Sequence, residues 1–428
     1  MKEPVTRTRI HRNIFYFCLL GISFFLPVFG RLVPPFIVLL FLNWLVEASY
    51  RRTFRLVFIE KERFLLFSFS FLYLLYLVGL AWSNNMKYGW EDLGIKLSLL
   101  VFPLIFSTLD KGVFMKKEGM NILDFFVIGC VTGTLLLLGH SFYNERWNHL
   151  DHAFYYGNLS WFFHSTYISM YLVFAVSMIA WKIIFKGAFI RPFYKISLIL
   201  LSIYFLVLII LLSSKAGLMS LSLVLVFFSL LVIIKKKNWL TGIIILVTSF
   251  LILYLGLQFF PYANGRISTA TKSLSDESSL KNEKSESTAE RMMIWKSGLE
   301  IIHEHLFFGT GTGDVKDALL QKYGKNHIKP ALEKQLNAHN QYIQTCISLG
   351  IIGFLILACM LILPLFNAIR NEQYLYVIYL LIFALNMIFE SMLEVQAGVV
   401  YYAFFNTFFF WMMTRKEPDV EFAGQALI

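Results

Sequence analysis

Apolar runs of near-membrane length recur along almost the whole chain, with short polar breaks rich in Lys and Arg between them. A helix needs about 20 mainly apolar residues to cross a hydrocarbon core ~30 Å thick. Twelve runs qualify: residues 13–29, 32–48, 64–82, 93–109, 122–139, 161–181, 194–212, 216–234, 239–259, 341–366, 374–389 and 395–413. The stretch 194–234 is interrupted only at SSKAG, residues 213–217. As one helix it would extend ~60 Å, about twice the hydrocarbon core, so it reads as two spans joined by a tight SSKAG turn. The pattern predicts an all-α, polytopic membrane protein with twelve transmembrane helices and one large loop. Its parts are helices one to nine (1–260), the loop (261–338) and helices ten to twelve (339–428).

Basic residues fix the direction, because cytoplasmic loops carry an excess of Lys and Arg. With the N-terminus in the cytoplasm, the inner segments hold the basic tail before residue 13, Arg51, Arg52, Arg55, Lys61 and Arg63, then Lys111, Lys116 and Lys117. They also hold Lys182, Lys186, Arg191, Lys195, Lys235–Lys237, Arg370, Arg415 and Lys416. The short outer connections hold just Arg31, Lys87, Lys96, Arg146 and Lys215. Both termini are then cytoplasmic. SSKAG, the large loop, His339 and the ESMLE segment (390–394) all face the other side.

Composition agrees. The chain is 57% hydrophobic and 15% charged, against roughly half and about a quarter in soluble domains. Its 38 Lys and Arg against 27 acidic residues are accounted for by the inner loops and imply no nucleic-acid partner. Cys18, Cys130, Cys346 and Cys359 all fall in apolar runs, with neither zinc spacing nor a disulfide framework. The first apolar run follows a basic tail, but no small-residue cleavage site comes after it, so it reads as a retained span.

The large loop opens with PYANGRISTATKSLSDESSLKNEKSESTAE, too poor in apolar residues to bury a core and therefore expected to be mobile. In ERMMIWKSGLEIIHEHLFFG, Met292, Trp295, Leu299, Ile302 and Leu306 recur at steps of three and four, one apolar helix face. Arg291 and Trp295 share a side of that helix by their i,i+4 spacing. GTGTGD (309–314) reads as a helix stop with Asp314 capping the next helix. It lacks a GK[ST] ending and a preceding strand, so it is a poor phosphate loop.

Charged groups beside membrane spans are costly and mark candidate sites. Each also has a plainer role. Lys215 and Lys96 suit interfacial snorkelling, Arg291 a surface pair with Glu290, His339 and Asn340 a helix start, and Glu390 and Glu394 loop charges. Gly350 and Gly353 read as packing glycines. HLDH (149–152) and HEH (303–305) lack the partners or spacing of a metal site, so no metal or cofactor is expected.

His339-Asn340, nine residues, then Gly350-x-x-Gly353 resembles the H[NSQ]-x9-G-x-x-G signature of bacterial O-antigen ligases. The loop before the tenth span, SSKAG at the outer end of a helix pair, and R-x-x-x-W at Arg291–Trp295 fit the same resemblance. The superfamily also holds O-antigen polymerases and protein O-oligosaccharyltransferases. The resemblance implies a metal-independent, inverting glycosyltransferase of membrane (GT-C-like) architecture in the bacterial inner membrane, with a periplasmic site. Its implied donor is an undecaprenyl-diphosphate-linked glycan and its acceptor a lipid A core sugar or another glycan, within membrane lipid. The family's histidine falls on His339 as base, and its two cationic positions fall on Lys215 and Arg291, against the diphosphate. Asn340, Lys96, Trp295, Glu390 and Glu394 are secondary candidates.

The chemistry suits these residue types. Cations near a departing diphosphate favour the transition state, and an imidazole titrating near ~6.5 accepts the proton of an incoming hydroxyl. Where the family commonly has Arg, this chain has Lys215: the charge is kept and the two-pronged phosphate grip is lost. Two alternatives stand beside the ligase reading. One is a polymerase with the same donor and a lipid-linked glycan acceptor. The other is a non-enzymatic lipid-glycan transporter, which would be expected to show internal repeats and midplane polar groups.

Overall fold

The computed structural model describes residues 5–110, 116–186, 191–259 and 287–414. The serine- and glutamate-rich opening of the large loop therefore lies outside the described residues up to position 286. All regular elements among the described residues are helical. The first half holds α1 (Val5–Val28), α2 (Val33–Glu47), α3 (Tyr50–Val57), α4 (Lys61–Ser68), α5 (Phe71–Gly79), α6 (Met86–Lys96) and α7 (Ser98–Ser107). Next come α8 (Lys116–Trp147), α9 (Tyr156–Leu159), α10 (Ser165–Lys186), α11 (Pro192–Leu212), α12 (Lys215–Lys236) and α13 (Trp239–Phe259). After the large loop's opening, α14 (Ser287–Glu304), α15 (Val315–Lys325) and α16 (Lys329–Glu333) precede α17 (Gln341–Arg370), α18 (Tyr374–Phe389) and α19 (Gln396–Thr414).

Each of the twelve expected runs is helical, but fewer meet the test of a spanning helix. Among the described residues seven helices are long and apolar enough to cross a membrane, or eight if α4 and α5, bent by 41°, form one span. Much of the shortfall has local causes. The fourth run is divided at Leu97 between α6 and α7. α18 and the described apolar part of α13 are short of the spanning length. The chain is thus a multi-pass helical protein with an aromatic core, in which Phe126, Phe174, Tyr379, Tyr401 and Phe405 pack ring against ring.

SSKAG forms the expected turn. Ser213 ends α11 in the left-handed region at φ 46°, and Ser214 caps α12 by accepting from the Gly217 amide at 3.3 Å. Lys215 thereby becomes the first residue of α12, at a helix end that favours anions.

α17 is not continuous. Gly350 has φ 63° and ψ −161°, a conformation open essentially to glycine alone. The break frees backbone groups, and the segment from Leu306 to Gly311 satisfies them. Thr310 N donates to Ile347 O at 2.7 Å, Gly311 N to Ser348 O at 3.0 Å, and Ile351 N to Leu306 O at 2.8 Å. Gly350 is therefore a backbone device as well as the site of close approach expected. A Cβ there would lie 2.2 Å from the Phe307 carbonyl oxygen. Gly350→Ala should cost about 1–3 kcal/mol in backbone strain alone, read as a lower melting temperature in detergent. Gly94→Ala, where a Cβ meets nothing within 4 Å, is the matched control and should leave it unchanged or raised.

One expectation about the loop needs correction. Asp314 does not cap α15: its backbone is helical (φ −100°, ψ −4°) and its side chain makes no capping bond, because an N-cap needs extended geometry. Its carboxylate instead accepts from the amides of Asn84 at 2.9 Å and Asn85 at 2.7 Å. On α14, Ile294 and Ile301 are buried and Met292, Leu299 and Leu306 are exposed, while Trp295 and Ile302 of the expected apolar face pack partly buried against the core.

Candidate active site

The loop before α17 delivers His339 in a strained pose. Its φ is 45°, rare for a residue with a Cβ and worth about 1–3 kcal/mol of strain. The pose is fixed on both sides: His339 N donates to Asn337 Oδ1 at 3.0 Å, and Asn340 caps α17 by accepting from Ile343 N at 3.1 Å.

His339 Nδ1 lies 2.9 Å from Glu390 Oε1, and Glu390 Oε2 lies 3.6 Å from the Arg291 guanidinium. One buried carboxylate thus joins an imidazole from the start of α17 to a cation from α14. Burial alone would raise the Glu390 carboxyl. The hydrogen bond from His339, with the charges of His339, His164 and Arg291, outweighs burial and holds it below the ordinary carboxylate range. A carboxylate that accepts at Nδ1 fixes the tautomer and leaves Nε2 as the proton acceptor.

Lys215 stands at the same level. Asn386 Nδ2 donates to Ser220 Oγ at 2.8 Å, which ties antiparallel α18 to α12. From that tie Lys215 is five residues up one helix and Glu390 four residues up the other, a rise of about 6–8 Å each. Ser214 Oγ is 3.5 Å from Thr166 Oγ1, two residues from the His164 whose charge acts on Glu390. The Trp295 indole N–H is buried with no hydrogen-bond partner among the described residues.

The remaining candidates form a second cluster. Lys96 is fully buried, so it does not snorkel. Its ammonium is ion-paired with Asp92 and with Glu394 at 3.0 Å, and stands 4.7 Å from the centre of the Tyr76 ring. Gln341 binds the cluster to the His339 strand: its Nε2 donates to Glu394 Oε1 at 3.3 Å and its Oε1 accepts from Leu393 N at 2.6 Å. The structure thus brings together His339, Arg291 and Glu390 in one group and Lys96 and Glu394 in another, two residues apart along α17. Asp92 and His164 were not singled out in the sequence. The i,i+4 spacing of Asp92 and Lys96 was a readable signal; His164 carried none.

Residues 196–358 match the family model of the O-antigen ligases. The matched segment covers less than half of the chain. It contains Lys215, Arg291, Trp295, His339, Gly350 and Gly353, and ends before Glu390 and Glu394. Comparison with curated proteins finds no match. The match to the O-antigen ligase model, with several long apolar helices, supports a multi-pass membrane protein of ligase- or polymerase-type glycosyl transfer that works on lipid-linked glycans.

Proposed function

We propose that this protein is an O-antigen ligase-type transferase of the bacterial inner membrane, with twelve spans, a GT-C-like architecture and a periplasmic active site. It moves a glycan from undecaprenyl diphosphate to a hydroxyl of a lipid A core sugar. The observation that carries this reading is Glu390 bridging His339 and Arg291 at the end of the bundle where α12 begins with Lys215.

In the proposed step the acceptor oxygen attacks the anomeric carbon from the face opposite the leaving group. The carbon–oxygen bond to the diphosphate breaks, and undecaprenyl diphosphate leaves with the bonding pair. The hydroxyl proton passes to His339 Nε2. Arg291 and Lys215 stabilise the charge that grows on the diphosphate, which asks nothing of a metal. The configuration at the anomeric carbon inverts.

Two measurements test this. In cells, loss of a ligase leaves long lipid-linked polymer unattached, whereas loss of a polymerase leaves single lipid-linked repeats. With purified protein, Lys215→Arg should preserve transfer, because the charge is kept, while Lys215→Ala should lose about 10²-fold in turnover. Equal rates in the two variants would remove Lys215 from the diphosphate.

A further inference from the structure

Away from His339, the outer ends of α5 and α6 and the helix α15 border an open groove of about 920 Å³. Its walls are built before any ligand arrives. Asp314 clamps the Asn84 and Asn85 amides, Gly313 N donates to Ser83 Oγ at 2.9 Å, and Asn85 Nδ2 donates to Asp317 at 2.8 Å. Thr312 Oγ1 donates to Tyr76 O at 2.6 Å and anchors the loop to α5. A fixed wall avoids the ordering cost of binding.

The lining is specific in kind. Trp82 presents an exposed indole, and the amide of Gln321, the carboxamide of Asn84 and the carboxylate of Asp317 are exposed beside it. No Lys or Arg lines the groove among the described residues, which makes it unsuited to a diphosphate. Planar groups that both donate and accept match neighbouring sugar hydroxyls, and an indole face covers the apolar C–H side of a sugar ring. The volume lies near the upper end of the range of about 300–1,000 Å³ for small-molecule sites, and so accommodates more than one sugar.

The geometry points to an oligosaccharide-binding groove between the α5–α6 junction and α15, which holds uncharged sugar units of a glycan substrate. Its place as a subsite of transfer rests on the function proposed above. Gly309 and Thr310 line the groove, and Thr310 N is bonded to Ile347 O. Ile347 is seven residues along α17 from Asn340, a rise of ~10 Å. A few sugar units cover that distance, so a glycan seated here extends toward His339.

The glycan belongs either to the donor chain or to the acceptor, and the test separates them. Saturation-transfer NMR on the full chain in nanodiscs uses two probes: the delipidated repeat oligosaccharide and the delipidated core oligosaccharide. One of them should bind, and Trp82→Ala and Gln321→Ala should each weaken it about tenfold, the worth of one or two lost contacts. In transfer assays the same variants should raise KM for that substrate by a similar factor and leave kcat in place. The repeat as the bound probe assigns the groove to the donor side, and the core assigns it to the acceptor. If neither probe binds, or if both variants bind as the unaltered chain does, the groove is not a glycan site. Glycan binding that persists in His339→Ala separates the two readings. Were that variant also to retain full transfer, the catalytic assignment would fall while the groove stood.

Discussion

His339→Ala inserts and accumulates like the unaltered chain and loses transfer by about 10²–10⁴-fold, the usual worth of a positioned general base. The loss should fall on turnover, because in the proposed step the imidazole takes a proton that becomes acidic only as the new glycosidic bond forms. Folding should be little affected. His339 occupies the left-handed region, so the smaller side chain gives up one hydrogen bond to Glu390 and keeps the backbone bond to Asn337 and the Asn340 cap. Glu390→Gln is the informative companion. It retains the imidazole but exchanges a carboxylate acceptor for an amide that either donates or accepts. The Nδ1-protonated tautomer is then no longer enforced, and Arg291 loses its counter-charge. Turnover should fall by less than in His339→Ala, with the chain still folded. A well-expressed His339→Ala protein that transfers glycan at the original rate would end the assignment of the base.

How much of this was legible in the sequence depended on distance along the chain. Spans could be read because the cost of burying polar backbone in lipid forces contiguous apolar helices, and the SSKAG turn could be read because a helix of that length does not fit the bilayer. The fourth run gives way between α6 and α7 beside the fully buried Lys96, and the tenth, though long and apolar enough to span, is kinked at Gly350. The signature histidine and Glu390 were each visible as residues, but their pairing was not. Glu390 lies 51 residues further on, in a loop whose sequence gives no sign that it turns back onto α17.

The buried charge cluster behind His339 makes the strongest stability prediction. Lys96 has no exposed surface and holds two carboxylates, Asp92 and Glu394. Removing one partner of a buried ion pair leaves the others desolvated and unpaired, at a cost of about 3–5 kcal/mol. Lys96→Met keeps the bulk and deletes the charge, so it should lower the melting temperature sharply. It should also slow transfer, because Glu394 and Leu393 are tied through Gln341 to the chain two residues from His339, and Glu390 lies in the same short loop. Neutralising the whole group as Asp92→Asn, Lys96→Met and Glu394→Gln together removes the uncompensated charge. Since a buried ion pair is often no better than well-packed neutral groups, this triple variant should regain most of the lost stability. If Lys96→Met melts where the unaltered chain does, the cluster is not the strut that holds the 390–394 loop against α17. If the triple variant regains stability but not transfer, the charges serve the reaction beyond holding the loop in place.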